Sequence, residues 1–399
     1  MPRSLSWRWI AVSVFALSST VNYLDRQILA ALAPQLMREF HMTEADYGDV
    51  IMIFSICYMI ASPLAGLAID RLGLNVGASF AVGLWSMAGM ATGFVSSLRG
   101  LIVCRSALGI FEAAGIPGTG KASALYLEPK DRAYGSAISQ VGLTIGAVAA
   151  PVVAQTLAHM YGWRAAFVTV GVIGLLWIPA WLYVSRRAPR VGEETQKRPS
   201  ARPMEVLRDV RYWALLASNV LLMSVYSLWV NWTTIFFVRQ FGMSQQDANY
   251  RFAWVPPIFA TAGGMFGGWL VKRWAAGVED VTAARMKAIL LGCVLVLSTA
   301  AAPFMPTPIL AALIVCASYF FCVVASVNIY SMPLDLFGAG RAAFAISGLT
   351  GVFGLVQVVI SPAIGRVVQS HGFAPVCIVV AILPIGSWLV LHWALRRKL

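Results

Sequence analysis

Residues 309–330 read ILAALIVCASYFFCVVASVNIY, a stretch that contains no charged side chain. An α-helix of about 20 mostly apolar residues is long enough to cross the hydrocarbon core of a bilayer. The rest of the chain has a similar character, because 59% of its 399 residues are apolar and only 12% are charged. Soluble proteins average about 45–50% apolar and about 25% charged residues. The composition excludes a soluble enzyme, a disordered chain and a nucleic-acid module, and it predicts a multispan membrane protein.

Eleven other segments are also long and apolar enough to span a bilayer. The twelve predicted spans lie near residues 10–33, 47–68, 75–95, 98–125, 134–158, 163–184, 212–237, 252–271, 286–304, 309–330, 342–366 and 374–395. The first apolar stretch is too long for a cleaved signal peptide, and no small-residue cleavage pattern follows it. The sequence therefore predicts an all-α membrane protein with twelve transmembrane helices.

The net charge of +13 is explained by the orientation of these spans. An even number of spans places both ends of the chain on one side of the membrane. Basic residues concentrate in the loops 186–211 and 272–287 and in the tail 396–398, and an excess of Lys and Arg is typical of cytoplasmic segments. We therefore expect cytoplasmic termini, a bacterial inner membrane and contact with anionic lipid headgroups. No nucleic-acid partner is expected.

The longest polar stretch divides the spans into two sets of six. It predicts an N-terminal six-helix bundle at 1–185, a cytoplasmic linker at 186–211 and a C-terminal six-helix bundle at 212–399. The two halves resemble each other, because Gly66 near the end of span 2 has a counterpart in Gly268 near the end of span 8. Internal repeats of this kind are typical of secondary transporters.

No cofactor, metal site or catalytic residue is predicted. The six cysteines all lie in apolar runs and form no CxxC pair, which is typical of small buried side chains. The four histidines lie at loops or span ends, so they do not form a catalytic constellation with a nucleophile. Residues 115–122 read GIPGTGKA, which is close to a phosphate-binding loop, but Ala122 replaces the Ser or Thr that binds magnesium. We expect a break in the fourth span there instead.

Five charged side chains lie inside predicted spans: Asp25, Arg26, Arg105, Glu112 and Lys121. A charge at the centre of a bilayer costs about 2.5–3.5 kcal/mol on insertion scales, and such residues are functional by default. We therefore expect these side chains to face a hydrated cavity or one another. A helical rise of about 1.5 Å per residue places the two arginines at similar depths.

A purely structural alternative is that Arg105 pairs with Glu112 and Asp25 pairs with Arg26, which would lock helices 1 and 4 together. Arginine is also suited to binding a planar carboxylate through two hydrogen bonds. Lys121 lies near the cytoplasmic end of its span, where a lysine can extend its ammonium group to the interface.

Two groups of residues resemble the motifs of a known family. Gly66 followed by the sequence DRLG at 70–73, and Gly142, Gly146 and Pro151 in span 5, resemble the loop 2–3 motif and the span-5 motif of the major facilitator superfamily. The stretches NYLDR at 22–26 and CRSALGIFEAAGIP at 104–117 resemble the anion:cation symporter family, and second-half motifs such as DLFG at 335–338 resemble its hexuronate transporters. The resemblance covers nearly the whole chain and implies the major facilitator fold.

The resemblance also implies a function, the proton-coupled import of an organic anion by alternating access. Position by position, Asp25 and Glu112 match the proton-titrating acids of the family, and Arg26 and Arg105 match its substrate or coupling arginines. A hexuronate or related sugar acid and protons are the implied partners. We expect a monomer, because no additional helix-pairing surface is evident in the sequence.

Other polar and aromatic residues could complete a sugar site, since Trp and Tyr offer a ring face and Asn and Gln pair with hydroxyls. The candidates are Asn22, Tyr23, Lys121, Gln140, Asn231, Trp232, Trp254, Asn328 and Gln357. The structural alternative is that the aromatic residues belong to interface belts and that the amides bridge helices.

Two rival functions share this fold. An uncoupled or exchange-type anion carrier would keep both acids in permanent ion pairs. A multidrug exporter would favour acidic pockets without paired arginines. A membrane-embedded enzyme belongs to a different class and lacks the reactive residues that it would need.

Overall fold

The computed structural model describes residues 3–128, 131–191, 203–276 and 281–396, and every regular element within these ranges is helical. Much of the predicted linker, residues 192–202, lies outside the described residues. Ten of the described helical segments are long and apolar enough to cross a membrane. Two further long helices occupy the predicted spans 1 and 8, where polar residues or glycine and proline interrupt the apolar run. The predicted all-helical membrane fold is confirmed.

The chain forms two compact units. Unit 1 comprises Met1–Met42, Asp49–Thr195 and Gln245–Trp254. Its elements are α1 (Arg3–Glu39), most of α2 (Glu44–Leu72), α3 (Leu74–Thr92), α4 (Leu98–Glu112), α5 (Gly115–Tyr126), α6 (Arg132–Tyr161), α7 (Trp163–Arg187), and, from the second half of the sequence, α10 (Gln245–Ala248) and a short π-helix (Asn249–Ala253). In this unit α1 packs against α5, α6 and α7, and α3 packs against α4 and α7.

Unit 2 comprises Thr43–Gly48, Gln196–Ser244 and Val255–Leu399. Its elements are the first residues of α2, the short α8 (Pro203–Leu207), α9 (Val210–Phe241), α11 (Pro256–Trp274), α12 (Val281–Leu295), a 3₁₀-helix (Val296–Phe304), α13 (Pro308–Phe337), α14 (Ala339–His371) and α15 (Phe373–Arg396). Here α9 packs against α13, α14 and α15, and α13 also packs against α11 and α12. The division of the sequence at 186–211 stays a prediction.

The fourth predicted span consists of two helices. α4 ends at Glu112 and α5 begins at Gly115, with Ala113 and Ala114 between them. Pro117 lies in the first turn of α5, where its missing N–H removes no helical hydrogen bond. The expected break in this span is therefore present, and it follows directly after a charged residue.

Glycines on α6 allow a close approach to α1. A Cβ atom at Gly142 would lie 2.7 Å from the Ala16 carbonyl oxygen, and one at Gly146 would clash with the Thr20 carbonyl oxygen. Small residues at helix interfaces let two backbones pack closely in membrane proteins. The α1–α6 contact therefore positions the middle of α1, which carries Asp25 and Arg26.

We predict opposite effects for alanine at two glycines of unit 1. Gly142→Ala crowds the α1 backbone and lowers the free energy of unfolding by about 1–3 kcal/mol, as overpacking does. Gly120→Ala, at a helical position with no neighbouring atom within 4 Å, raises it by up to about 1 kcal/mol through helix propensity. Denaturant unfolding in detergent micelles measures both changes. Equal stability of the two variants would contradict the close α1–α6 approach.

Candidate functional site

Helices α1 and α4 are joined by an ion pair between Arg26 and Glu112. Arg26 Nε donates a hydrogen bond to Glu112 Oε2 at 2.6 Å. The Glu112 side chain is fully buried, whereas 25% of the Arg26 side chain is exposed. Glu112 is the last residue of α4, so the ion pair lies at the break in the fourth span. One member of the pair is therefore open to solvent or to a ligand.

Asp25 and Arg105 are buried near this ion pair, with exposed fractions of 1% and 2%. Asp25 lies within electrostatic range of Glu112 and of both arginines, and Glu112 lies within range of both arginines. The four side chains Asp25, Arg26, Arg105 and Glu112, here called the charge quartet, carry two positive and two negative charges when all are ionised. The structure thus brings together the four charged residues that the sequence singled out in spans 1 and 4.

Asp25 has unusual surroundings for a carboxylate. Neither of its oxygens has a hydrogen-bond partner within the described part of the chain. On the side of α3, a Cβ atom at Gly89 would lie 3.1 Å from Asp25 Oδ1. A buried ionised carboxylate without donors is costly, so such a group in a native structure indicates a functional constraint. Its chemistry suits the reversible binding of a proton.

Aromatic rings surround the Arg26 guanidinium group. Its central carbon lies 4.6 Å from the ring centroid of Tyr58, 5.1 Å from that of Phe54 and 5.9 Å from that of Tyr23. Arg105 lies over the Phe167 ring at 5.3 Å. Cation–π contacts stabilise a guanidinium group without using its hydrogen-bond donors. In Arg26, Nε donates to Glu112 while the guanidinium group lies against these rings.

Sequence reasoning missed Phe54 and Tyr58. They are four residues apart on α2, and this spacing places both rings on one face of that helix. The spacing could have indicated a shared face, but it does not indicate that this face contacts α1. The sequence predicted only Tyr23 among the rings around Arg26.

The observed ion pair differs from both pairs of the structural alternative. Asp25 and Arg26 are adjacent on α1, and successive residues of a helix point about 100° apart, so the two side chains diverge. Arg26 instead reaches across to Glu112 on α4. The pairing therefore joins two helices rather than two neighbours on one helix.

Lys121 lies in a different environment from the charge quartet. Its Nζ donates hydrogen bonds to Asp70 Oδ1 at 2.9 Å and to the Ile69 carbonyl oxygen at 3.1 Å. A lysine near the C-terminal end of a helix stabilises its last carbonyl groups. Lys121 thus tethers α5 to the end of α2, and its role in substrate binding stays a prediction.

The remaining candidates of unit 1 lie in varied positions. Asn22 is 7% exposed and lies on the turn of α1 before Asp25. Gln140 is exposed on α6. The Trp254 indole donates a hydrogen bond to the Tyr250 carbonyl oxygen at 2.9 Å, which ties down the end of the π-helix. Substrate roles for these three residues stay predictions.

Unit 2 contains a separate polar cluster on α9 and α14, here called the amide cluster (Ser227, Asn231, Gln357 and Ser361). Gln357 Oε1 accepts hydrogen bonds from Ser227 Oγ at 2.5 Å, Asn231 Nδ2 at 3.1 Å and Ser361 Oγ at 3.0 Å. Gln357 Nε2 and Asn231 Oδ1 make no hydrogen bond to other described residues. Gln357 and Asn231 are only partly buried. The cluster therefore retains a donor and an acceptor for a ligand.

Two other candidates of unit 2 are engaged in packing. Asn328 is 1% exposed; its amide donates to the Val324 carbonyl oxygen at 2.8 Å and accepts from Arg285 at 3.4 Å. Trp232 is fully buried, with edge contacts to Tyr47 at 5.1 Å and Phe373 at 6.4 Å between ring centroids. Their substrate roles stay predictions, and in this conformation both side chains join helices.

The described residues contain no cluster of three or more His, Cys, Asp or Glu side chains that could hold a metal ion. The six cysteines are free thiols, four of them buried. The charge quartet offers two guanidinium groups that can bind a carboxylate and two carboxyl groups that can hold protons.

Comparison with known proteins identifies the family. Residues 15–347 match the family described as Major Facilitator Superfamily. The hexuronate transporter of Escherichia coli (strain K12) is 30% identical to this chain, over 98% of this chain and 94% of that protein. The galacturonate transporter of Dickeya chrysanthemi is 31% identical, over 66% of this chain and 81% of that protein.

Solved structures share the fold. A bacterial homolog of the human lysosomal transporter Spinster, in an inward-facing and unoccupied conformation, superposes with a TM-score of 0.78 at 18% identity. The alignment covers 97% of this chain and 95% of that one. The chain is therefore a multispan membrane transporter rather than an enzyme, and it belongs to the Major Facilitator Superfamily.

Proposed function

We propose that this protein imports an organic anion, a hexuronate or a related sugar acid, together with protons by alternating access. The location is a bacterial inner membrane, with both termini in the cytoplasm and a monomer as the functional unit. Relatives named for hexuronate and galacturonate support the substrate class. The observation that carries the proposal is the charge quartet, in which a half-buried arginine is balanced by a fully buried carboxylate.

Charge balance is the physical reason for coupling. The quartet is neutral when its four groups are ionised, so a bound carboxylate leaves one uncompensated negative charge away from water. Such a charge is costly in a medium of low dielectric constant. A proton on Asp25 or Glu112 restores neutrality. Binding of the anion and binding of the proton therefore favour each other, which is the requirement for symport.

Asp25 and Glu112 have different parts in this scheme. Substrate carboxylate binds Arg26 and displaces Glu112 from the guanidinium group, since both compete for the same donors. Glu112 then takes up a proton. Asp25, which has no hydrogen-bond partner among the described residues, provides a second protonation site. Arg105 stays positively charged throughout the cycle and compensates one negative charge of the quartet.

The amide cluster of unit 2 suits a polyhydroxylated substrate. Gln357 Nε2 and Asn231 Oδ1, which have no partner among the described residues, can pair with neighbouring hydroxyl groups of a sugar ring. A sugar acid carries such hydroxyl groups, whereas a simple fatty acid or a lipophilic cation does not.

Proteoliposome uptake tests the proposed function directly. We expect accumulation of labelled D-galacturonate or D-glucuronate under an inward proton gradient, and none without it. Each unit of pH difference supplies about 1.4 kcal/mol per proton. Equal accumulation with and without the gradient would favour the uncoupled carrier, and accumulation of a lipophilic cation instead would favour the exporter.

Neutral replacements of the two acids separate coupling from binding. We expect Glu112→Gln and Asp25→Asn each to lose gradient-driven accumulation, because the proton-binding group is gone. Counterflow of the same substrate between two sides at equal pH continues at a measurable rate. Glu39→Gln, which neutralises an exposed acid on the same helix α1, serves as the matched control and keeps both activities. Retention of accumulation by both acid variants would contradict the proton-coupling roles.

The Arg26–Glu112 ion pair also fits an exchange-type carrier in which the pair never opens and only joins the two helices. Stability measurements distinguish this structural role from a role in substrate binding. Arg26→Met leaves a buried carboxylate without its cation and destabilises the protein by about 3–5 kcal/mol. The double variant Arg26→Met/Glu112→Leu recovers most of that stability, since no unpaired charge remains. We expect the recovered double variant to fold and yet to bind no sugar acid. Binding at wild-type affinity would assign the pair a structural role alone.

A further inference from the structure

Two short segments are exchanged between the units. Thr43–Gly48, at the start of α2, belongs to unit 2, although the sequence on both sides belongs to unit 1. Gln245–Trp254 belongs to unit 1, although the sequence on both sides belongs to unit 2. Thr43 and Gln245 are separated by the same number of residues as the repeat pair Gly66 and Gly268. The exchanged segments are therefore counterparts in the internal repeat.

Within unit 1 the exchanged segment binds the backbone of α1 beside Pro34. Asn249 Nδ2 donates to the Ala31 carbonyl oxygen at 2.8 Å, and the Gln35 N–H donates to Gln245 Oε1 at 2.8 Å. In an undisturbed α-helix the Gln35 N–H would donate to the Ala31 carbonyl. A proline inside a helix weakens the hydrogen bonds around it. The two amide side chains thus contact the donor and the acceptor of one helical hydrogen bond beside Pro34.

A third buried amide holds this arrangement together. Gln155 Oε1 on α6 accepts from Gln245 Nε2 at 3.0 Å and from Asn249 Nδ2 at 3.1 Å. Gln155, Gln245 and Asn249 are all buried. Two buried amides on the backbone of α1 and a third that joins them are more than packing requires, because apolar side chains would fill the same space without the cost of removing polar groups from water.

Within unit 2 the other exchanged segment binds the backbone of α9. Tyr47, which is 1% exposed, donates its hydroxyl hydrogen to the Asn231 carbonyl oxygen at 2.9 Å. Tyr47 and Asn249 have the same repeat spacing as Gly66 and Gly268, and their acceptors Ala31 and Asn231 are separated by nearly the same spacing.

The two contacts thus correspond in the repeat while their chemistry differs. An amide donor is used in unit 1 and a phenol donor in unit 2, and each meets a main-chain carbonyl. Each acceptor helix also carries candidate site residues, the pair Asp25 and Arg26 on α1 and Asn231 on α9.

We propose that Tyr47 and Asn249 are a repeat-related pair of positioning residues, which hold the site-bearing helices α1 and α9 in one state of the transport cycle and release them in the other. This inference rests on the proposed function. Each exchanged segment is joined by peptide bonds to residues of the opposite unit, so any movement of one unit pulls on the segment. A helix carbonyl has two lone pairs and can gain or lose such a contact without unfolding of the helix.

Cross-linking tests whether the contact between Gln155 and the exchanged segment that contains Gln245 must open during transport. In a background without the native cysteines, Gln155→Cys and Gln245→Cys are bridged by a short cleavable bifunctional reagent. We expect the bridge to stop galacturonate exchange in proteoliposomes and a reductant to restore it. The control disulfide joins Ser218→Cys and Ser387→Cys, whose hydroxyl oxygens lie 2.6 Å apart in unit 2 outside the exchanged segments, and it leaves exchange unchanged.

The outcomes separate this inference from the proposed function. Exchange by the bridged protein at the rate of its reduced form overturns the inference and leaves the proposed function intact. Absence of sugar-acid transport in the unbridged and wild-type proteins overturns both.

Point variants provide a second measurement that does not depend on cross-linking. Tyr47→Phe keeps the ring on Trp232 and removes only the donor, and Asn249→Leu keeps a similar volume without the amide. We expect each variant to raise the maximal exchange rate about fivefold and to leave KM unchanged. A fivefold change is the size expected when the transport cycle no longer has to break one hydrogen bond. Ser218→Ala, on the same α9 helix, keeps the wild-type rate. Wild-type rates in both Tyr47→Phe and Asn249→Leu would overturn the inference.

Discussion

The hydrogen bond from Arg26 to Glu112 joins two helices through side chains that are largely removed from solvent. An isolated charge in such a place would be costly, and the cost is offset only while the opposite charges stay close. With Asp25 and Arg105 also buried, any displacement of α1 from α4 would separate charges rather than slide apolar surfaces. The break after Glu112 and the glycine-mediated contact of α6 with α1 both act on elements that this balance keeps in place. A ligand that carries charge would alter the same balance, so the proposed anion transport and the packing of these helices share one electrostatic condition.

Properties that depend on a short stretch of sequence could be predicted. A charge-free run such as 309–330 indicates a spanning helix through its length alone, and a charged residue inside such a run indicates a functional position because burial is costly whatever its neighbours are. The interruption of the fourth span could also be predicted from a short stretch of sequence, because Pro117 and the nearby glycines act locally on the backbone. These features required no knowledge of which helices are neighbours.

Properties that depend on neighbouring helices could not be predicted. Periodicity places Phe54 and Tyr58 on one face of α2, but it does not show that Arg26 lies against that face. The pairing of Arg26 with Glu112 likewise depends on how far α4 extends beside α1. The same limit applies to the exchanged segments. Gly66 and Gly268 revealed the repeat, but nothing in Tyr47 or Asn249 indicates that each packs with the unit formed mainly by the other half of the sequence.

The correspondence between Tyr47 and Asn249 shows which contacts can be kept when the two halves of an internal repeat differ in sequence. A phenol and an amide differ in size and polarity, and one is supported by the Trp232 ring whereas the other is supported by Gln155. Both nevertheless donate to a helix carbonyl at a corresponding place. A main-chain acceptor is present whatever the residue type, so its position is set by the helix path and not by the side chain. Two halves with diverged sequences can therefore keep matched contacts, provided that each retains any donor of suitable reach. Functional correspondence between the halves is then better sought in backbone partners than in residue identity.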